Sequence, residues 1–151
     1  MVFFTFMFSL AAEDDYLKIS VSVEPRTITQ GEEGMLHIKI TPKDGIRISS
    51  HPEFLIKLDK SNNFTFPKLF FTASELDFRT LQENDAVYLD LEKEINIMFK
   101  VNEDSMAGKN TISGEVVFTA VLKDNWSVKT YQKFNVDYFS MRNQKAKPKR
   151  K

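Results

Sequence analysis

The hydrophobic pattern is strongest in residues 114–138, where two alternating segments flank a short polar loop. In 114–121 both alternating sets of side chains are largely apolar, which is typical of a strand covered on both faces. In 128–138 the even-numbered residues alternate with a mostly polar set, which predicts a half-buried strand. The loop, 122–126, contains Lys-Asp-Asn, whose side chains suit a turn. We therefore predict a β-hairpin that carries the only tryptophan in its loop.

Shorter alternating segments precede this hairpin. Apolar side chains occupy every second position in 16–24, 35–41 and 54–58, and 86–101 contains two such stretches with odd-numbered residues facing inward. We expect a turn-rich connection over 27–34 and, over 64–85, a loop packed on the edge of the fold with room for one short strand. About seven to nine strands without βαβ alternation predict an all-β fold, an immunoglobulin-like β-sandwich.

Length and composition fit one domain with an ordinary core. The chain has 151 residues, 42% of them hydrophobic, and 14 phenylalanines supply much of the expected core. It has no cysteine, which excludes a disulfide, a thiol nucleophile and a cysteine-ligated zinc ion supplied by the chain itself. We expect no cofactor.

The first residues have the pattern of an export signal. Residues 2–12 form an apolar run that is too short to span a bilayer and is followed at once by three acidic residues. Ser9 and Ala11 place small side chains before a cleavage site at Ala12, although a basic segment is missing ahead of the run. We expect a signal peptide at 1–12, a domain at 13–141 and a periplasmic or secreted protein, and a buried first strand is the alternative.

Charge is distributed unevenly along the chain. Residues 142–151 hold six basic residues and no acid, which leaves 15 basic and 21 acidic residues in the rest of the chain, a net charge of about −6. The tail could contact anionic lipid, whereas the acidic domain argues against nucleic acid. We expect 142–151 to be a disordered, solubilising basic tail, and contact with an anionic lipid surface is the alternative. The basic residues concerned are Arg142, Lys145, Lys147, Lys149, Arg150 and Lys151.

Several short glycine and proline motifs follow one another in a recognisable order over residues 16–138. They are a glycine turn (Gly31, Gly34), a Pro-x-x-Gly opening (Pro42, Gly45) and a late hairpin with Gly108, Gly114, Val116, Phe118 and Ala120. In this order they resemble the immunoglobulin-like N-terminal domain of the bacterial thiol:disulfide interchange protein DsbD and the related exported disulfide bond corrector domains. The resemblance implies an immunoglobulin-like fold and an envelope location.

The same resemblance implies a cysteine pair in the late hairpin, and the matching positions here are Val121 and Ser127. Neither side chain can take part in disulfide exchange, which requires a thiolate that attacks a sulfur. We therefore expect a non-enzymatic relative that keeps the scaffold. The partner that the resemblance suggests is an envelope thiol:disulfide oxidoreductase.

The hairpin tip is the candidate binding site. An exposed Trp126 would be an aromatic anchor for a partner protein, with Lys123 and Asp124 as a polar rim. Lys129 and Tyr131, on the outward side of the following strand, would extend the same patch. We expect instead that Trp126 folds back over the sheet edge, and exposure is the alternative. An edge strand here could also accept a partner strand.

The sequence gives no support for other chemistry. His37 and His51 show no spacing that pairs them or groups them with carboxylates, so we expect structural or solvated histidines and no metal site. Three roles remain open beside partner binding: a structural or chaperone-like envelope protein, a carbohydrate- or lipid-binding protein, and a thiol:disulfide interchange component that acts only through cysteines of a partner.

Overall fold

The computed structural model describes residues 16–51 and 54–144, and these residues form an almost entirely β structure. Twelve strand segments occur in this part of the chain, and eight of them have four residues or more. In chain order they are β1 Leu17–Glu24, β2 Thr27–Thr29, β3 Glu33–Pro42, β4 Arg47–Ile48, β5 Leu55–Leu58, β6 Phe64–Thr65, β7 Phe70–Thr72, β8 Arg79–Glu83, β9 Ala86–Asp90, β10 Ile95–Val101, β11 Gly108–Val121 and β12 Ser127–Met141.

Two sheets form the sandwich. The smaller sheet has the order β1-β3-β10-β6, and the larger has the order β2-β12-β11-β5-β7, with β4 also paired to β11. All these pairs are antiparallel except β2 with β12, which is parallel. Strands β8 and β9 form a separate two-stranded sheet, linked to the sandwich by a bridge between Ser49 and Tyr88. The predicted all-β, immunoglobulin-like sandwich is confirmed.

The core lies between the two sheets, where alternating residues meet. In β3 and β10 every second side chain is buried, and in β11 the even-numbered residues from Asn110 to Ala120 are buried. Because strand side chains point alternately to opposite faces, this spacing places one complete row of each strand in the core. Phe64, Phe66, Phe99 and Tyr138 form an aromatic cluster there, with ring centroids 5.5 to 6.1 Å apart.

Residues 64–85 depart from the expected loop. They contain three short strands: β6 pairs with β10, β7 extends the larger sheet beyond β5, and β8 pairs with β9. The β8–β9 turn is made by Asn84 and Asp85, both with positive φ, a conformation that Asn and Asp tolerate better than most residues. These strands are too short for periodicity to reveal, and β8 is exposed along its whole length.

Two further expectations need correction. Residues 27–34 are not only turns, because β2 adds a short parallel strand beside the end of β12. Residues 86–101 divide into β9 and β10, which belong to different sheets, and Tyr88 is buried together with the odd-numbered Leu89 and Leu91. The change of sheet lies within 91–94, where the alternation in the sequence shifts.

Gly114 allows β5 and β12 to approach β11 closely. A Cβ at this position would lie 2.5 Å from the carbonyl oxygen of Lys57 and 2.7 Å from Cζ of Phe134. A side chain therefore has no room here, which gives a physical reason for the glycine within an otherwise continuous strand.

The expected signal peptide at 1–12 lies outside the described residues, as do Lys145, Lys147, Lys149, Arg150 and Lys151 of the basic tail. Arg142 is described and is exposed just after β12. Within 16–51 and 54–144 there is no helix long and apolar enough to cross a bilayer.

Replacing Tyr138 by Phe should stabilise the fold. The Tyr138 side chain is fully buried, and its hydroxyl has no hydrogen-bond partner among the described residues. Removing an unsatisfied buried hydroxyl should raise the free energy of unfolding by about 1 kcal/mol in urea denaturation. Tyr131→Phe, which alters an exposed ring, should leave it unchanged.

The same substitution should alter the response to alkali. Burial raises the pKa of Tyr138 to about 12, so the unfolded chain ionises first and stability falls as the pH rises beyond about 10. The Tyr138→Phe variant should not show this part of the loss of stability above about pH 10. A variant that is less stable than the parent at neutral pH would mean that the hydroxyl has a partner.

Candidate binding surface at the β11–β12 hairpin

The hairpin tip is a short ordered loop at the end of two fully paired strands. β11 and β12 pair from Gly108 with Ser140 to Val121 with Ser127. In the loop, the N–H of Leu122 donates to the carbonyl of Trp126 and the N–H of Asn125 donates to the carbonyl of Leu122, both at 2.8 Å. Asn125 has a φ of 67°, a value that Asn tolerates better than most residues. The predicted turn is confirmed, and its backbone is held by its own hydrogen bonds.

Trp126 does not fold back over the sheet. Its relative exposure is 67%, so the expectation of a packed tryptophan is wrong and the exposed alternative holds. The Asp124 carboxylate accepts a hydrogen bond from the N–H of Trp126 at 3.3 Å, which ties the backbone of Trp126 to the turn. The turn thus fixes the backbone of a large aromatic residue while leaving its ring in solvent.

Lys123 lies beside the turn that contains Gly45. A Cβ on Gly45 would come within 2.6 Å of Lys123 Cε, so the aliphatic stem of Lys123 passes closely over that turn. Gly45 has a φ of 80°, which also favours glycine at this position. The two residues of the predicted polar rim therefore differ in position. Asp124 belongs to the hairpin turn itself, whereas the Lys123 side chain lies over the turn at Gly45.

Lys129 and Tyr131 lie on the outer face of the larger sheet. Tyr131 is 52% exposed and stands opposite Val117, which is opposite Leu55 on the next strand. Val117 and Leu55 are half-buried, so a row of three apolar side chains crosses the face. The outward side predicted for Lys129 and Tyr131 is confirmed.

Sequence reasoning missed the other apolar residues of this outer face. Phe70 is 54% exposed and belongs to the next row, which also contains the ion pair between Lys57 and Glu115 at 3.6 Å. Phe139 and Met141 are exposed at the far end of β12. Phe139 and Met141 have odd numbers, as Tyr131 does. Because the odd-numbered residues of β12 face outward, alternation could have placed both on this face.

The two positions that the resemblance matches to cysteines lie directly opposite each other. Val121 and Ser127 form the closing pair of the hairpin. The Thr119 carbonyl accepts a hydrogen bond from Ser49, so the backbone groups of odd-numbered β11 residues point toward β4 and away from β12. The pair is therefore of the non-hydrogen-bonded type, in which Cα atoms lie about 4.5 Å apart. That separation falls within the range that a disulfide spans.

The smaller sheet carries a polar cluster that the sequence did not reveal. His37 Nε2 lies 3.2 Å from Glu24 Oε1, His37 Nδ1 lies 3.8 Å from Glu94 Oε1, and the ring also hydrogen-bonds Asn96. Sequence spacing did not group His37 with carboxylates; the fold brings them together, because Asn96 lies opposite His37 in β10 and Glu24 ends the neighbouring strand β1. Among the described residues, no group of three His, Asp or Glu side chains is arranged to hold a metal ion. His51 is exposed, with Nδ1 3.0 Å from the Ser50 hydroxyl oxygen.

Hydrogen bonding raises the pKa of His37. The largest cause is the Asn96 side chain, with smaller contributions from Glu24 and Glu94, and burial opposes the shift. A raised pKa in the folded state means that protonation of His37 favours folding. The stabilisation is present below the ordinary value of 6.5 and is lost as the pH rises through the higher folded value.

A groove of about 440 Å³ also lies between the β8–β9 hairpin and strands β3 and β4. Its lining is largely apolar, and Arg47 lies at it with the guanidinium 4.6 Å from the centroid of the Tyr88 ring and an ion pair to Glu83. Arg47 therefore already has an aromatic and an anionic partner within the chain. Sequence reasoning missed this groove because it depends on β8, which lay in a segment without a clear pattern, and on the pairing of β8 with β9.

Comparison with known proteins gives no family. No family model matches the chain, and no curated protein matches it. Similar solved structures include a cohesin module from a Clostridium perfringens family 33 glycoside hydrolase, with 5% identity, a TM-score of 0.48 and coverage of 85% of this chain and 98% of that one. The major pilin subunit of Bacillus cereus has 12% identity, a TM-score of 0.38 and coverage of 83% and 40%. Murine CRIg has 11% identity, a TM-score of 0.34 and coverage of 83% and 99%. These values carry no inference about function.

A double variant with Val121→Cys and Ser127→Cys should form a disulfide within the hairpin. The pair is directly opposite and non-hydrogen-bonded, which suits disulfide geometry. Mild oxidation should consume both thiols in the monomer, as measured by mass spectrometry. Val121→Cys with Lys129→Cys places the thiols on a diagonal about 7 Å apart and is the matched control. Equal crosslinking of both variants would contradict the register.

Replacing His37 by Gln should flatten the pH dependence of stability. The parent should lose stability as the pH rises above the ordinary histidine value of 6.5, because the folded state binds the His37 proton more tightly than the unfolded chain does. Urea denaturation at several pH values measures this slope. Asn96→Ala, which removes the largest cause of the shift, should also reduce the slope. An unchanged slope in both variants would show that the cluster does not control it.

Proposed function

We propose that this chain is a non-catalytic protein-binding module of the bacterial envelope that recognises a partner through the β11–β12 hairpin tip. The observation that carries the proposal is the 67% exposure of Trp126 on a loop whose backbone is fixed by internal hydrogen bonds. Tryptophan is enriched among the residues that dominate binding energies, because it buries a large apolar area when a partner covers it.

The setting of Trp126 favours binding at low entropic cost. The loop joins two strands that are paired along their whole length, so a partner meets a pre-ordered backbone. Tyr131 adds a second exposed ring on the neighbouring strand, and the exposed Lys123, Asp124 and Lys129 supply charged groups on the same loop and strand. A suitable partner would offer an apolar pocket for Trp126 with acidic groups at its rim.

The identity of the partner rests on the resemblance to the DsbD N-terminal domain. That resemblance suggests an envelope thiol:disulfide oxidoreductase, which would have to supply the thiols because Val121 and Ser127 occupy the matching positions. Export rests on the apolar run at 2–12, and contact of the basic tail with anionic lipid likewise remains a proposal. A structural, chaperone-like or ligand-binding role predicts different captured molecules.

Trp126→Ala should abolish partner capture. We would crosslink the tagged full chain in cells, identify captured proteins by mass spectrometry, and measure binding of the purified candidate. Loss of a central aromatic anchor should weaken binding by tenfold or more, on the order of 2 kcal/mol. Met106→Ala is the matched control, because Met106 is 69% exposed and lies just before β11 at the opposite end of the hairpin.

Three outcomes separate the possible roles. A thiol oxidoreductase that binds the parent and the Met106→Ala variant but not Trp126→Ala supports the whole proposal. A different protein with the same dependence on Trp126 supports the hairpin site and removes the proposed partner. Binding that is equal in all three chains would overturn the hairpin site.

A further inference from the structure

Among the described strands, none covers one side of β12 over 127–138, which is called the β12 edge below. β11 pairs with the other side throughout, whereas β2 reaches this side only at Phe139 to Met141. Phe139 N–H donates to the Arg26 carbonyl on this side at 2.8 Å, so the N–H and C=O groups of all odd-numbered β12 residues face it. Backbone groups at such an edge need a partner or water.

The part of the chain that the structure describes begins beside the middle of this edge. The side-chain oxygen of Gln132 accepts hydrogen bonds from the N–H groups of Tyr16 and Leu17, both at 2.8 Å, and its amide nitrogen donates to the Leu17 carbonyl at 2.9 Å. These three hydrogen bonds fix the start of β1 beside β12. The residues that precede Tyr16 therefore join it next to the β12 edge.

The course of β1 and β2 gives the direction in which the preceding residues lead. Leu17 lies beside Gln132, and Thr27 pairs in parallel with Phe139. The chain therefore advances in the same direction as β12, and a continuation backward from β1 leads toward the hairpin tip. Three extended residues span about 10 Å, which is also the approximate distance along β12 from Gln132 to Lys129.

The three residues in question are all acidic. Residues 13–15, Glu-Asp-Asp, immediately precede Tyr16 and are called the acidic segment below. The part of β12 that they can reach is basic, because Lys129 and Lys133 are exposed there. Charge complementarity therefore favours the acidic segment beside these two lysines.

The described residues leave both lysines without a partner. Lys129 stands opposite Thr119, which carries no charge. Lys133 stands opposite Glu115, but that carboxylate already forms an ion pair with Lys57 at 3.6 Å. Within 16–51 and 54–144 neither Lys129 nor Lys133 forms an ion pair.

We propose that the acidic segment lies along the β12 edge between the hairpin tip and Gln132. Its backbone accepts hydrogen bonds from odd-numbered N–H groups of β12, and its carboxylates pair with Lys129 and Lys133. Lys133 lies one residue beyond Gln132, within reach of its flexible side chain. β2 shows that a parallel segment fits on this side of β12 farther along. The expected cleavage before Ala12 leaves the acidic segment on the chain, so the contact does not depend on export.

This contact determines which parts of the hairpin a partner can use. A strand edge without a neighbour is the usual place for another strand to add. With the acidic segment in place the edge is covered and Lys129 is neutralised, while the rings of Trp126 and Tyr131 stay exposed. Partner binding is then confined to the aromatic side chains of the hairpin.

Residue-resolved amide exchange tests the contact in the full chain. The even-numbered amides of β12 bond to β11 and should exchange slowly in any folded variant, so they report on the fold itself. The amides of Lys129 and Tyr131 face the β12 edge and should be slow in the parent. Replacing residues 13–15 by lysine should accelerate their exchange at least tenfold, because three like charges then face Lys129 and Lys133.

A matched control changes the same number of charges at the other end of the sandwich. Replacing Glu32, Glu33 and Glu103 by lysine alters exposed acids near the end of β12 and should leave both amides slow. Exchange at Lys129 and Tyr131 that is fast in the parent would overturn the proposal. Slow exchange that survives lysines at 13–15 would also overturn it, because another occupant would then cover the edge.

A charge swap separates direct contact from a general effect of net charge. Lys129→Glu with Lys133→Glu should accelerate exchange by itself, and adding lysines at 13–15 should restore slow exchange. A failure of this restoration in a chain whose even-numbered amides remain slow would overturn the proposal. Trp126→Ala leaves every charge of the contact in place, so lost partner capture with unchanged exchange in that variant concerns the proposed function alone.

Discussion

The pairing of β11 with β12 is the interaction on which the rest of the structure depends. Fourteen consecutive residue pairs join these strands, and β11 also carries β5 and β4 on its other side. Its even-numbered side chains from Asn110 to Ala120 are buried in the core. The last pair, Val121 with Ser127, fixes where the loop begins. Consequently the same pairing determines the core and the position of Trp126.

The sequence predicts this framework well, because each long strand repeats its apolar residues over several periods. β1, β3, β5, β10, β11 and β12 all lie where alternation places them. Parity also predicted the outward direction of Lys129 and Tyr131. What parity cannot predict is whether an outward side chain is covered, since that depends on neighbouring strands and loops. Trp126 lies in the loop, where strand alternation predicts nothing. Its exposure follows from the hydrogen-bonded turn, which holds its backbone at the tip of the hairpin.

The remaining differences share a physical origin in short segments and long-range contacts. β6 and β7 have two and three residues, too few for a period to emerge, and they pair with β10 and β5, which are not their neighbours in the chain. β8 has a single apolar residue, Leu81, so it shows no alternation. His37 acquires its carboxylate neighbours through strand pairing. Glu24 ends β1, which pairs with β3, and Glu94 lies just ahead of β10, which pairs with β3 on its other side. Sequence spacing carries no trace of these contacts.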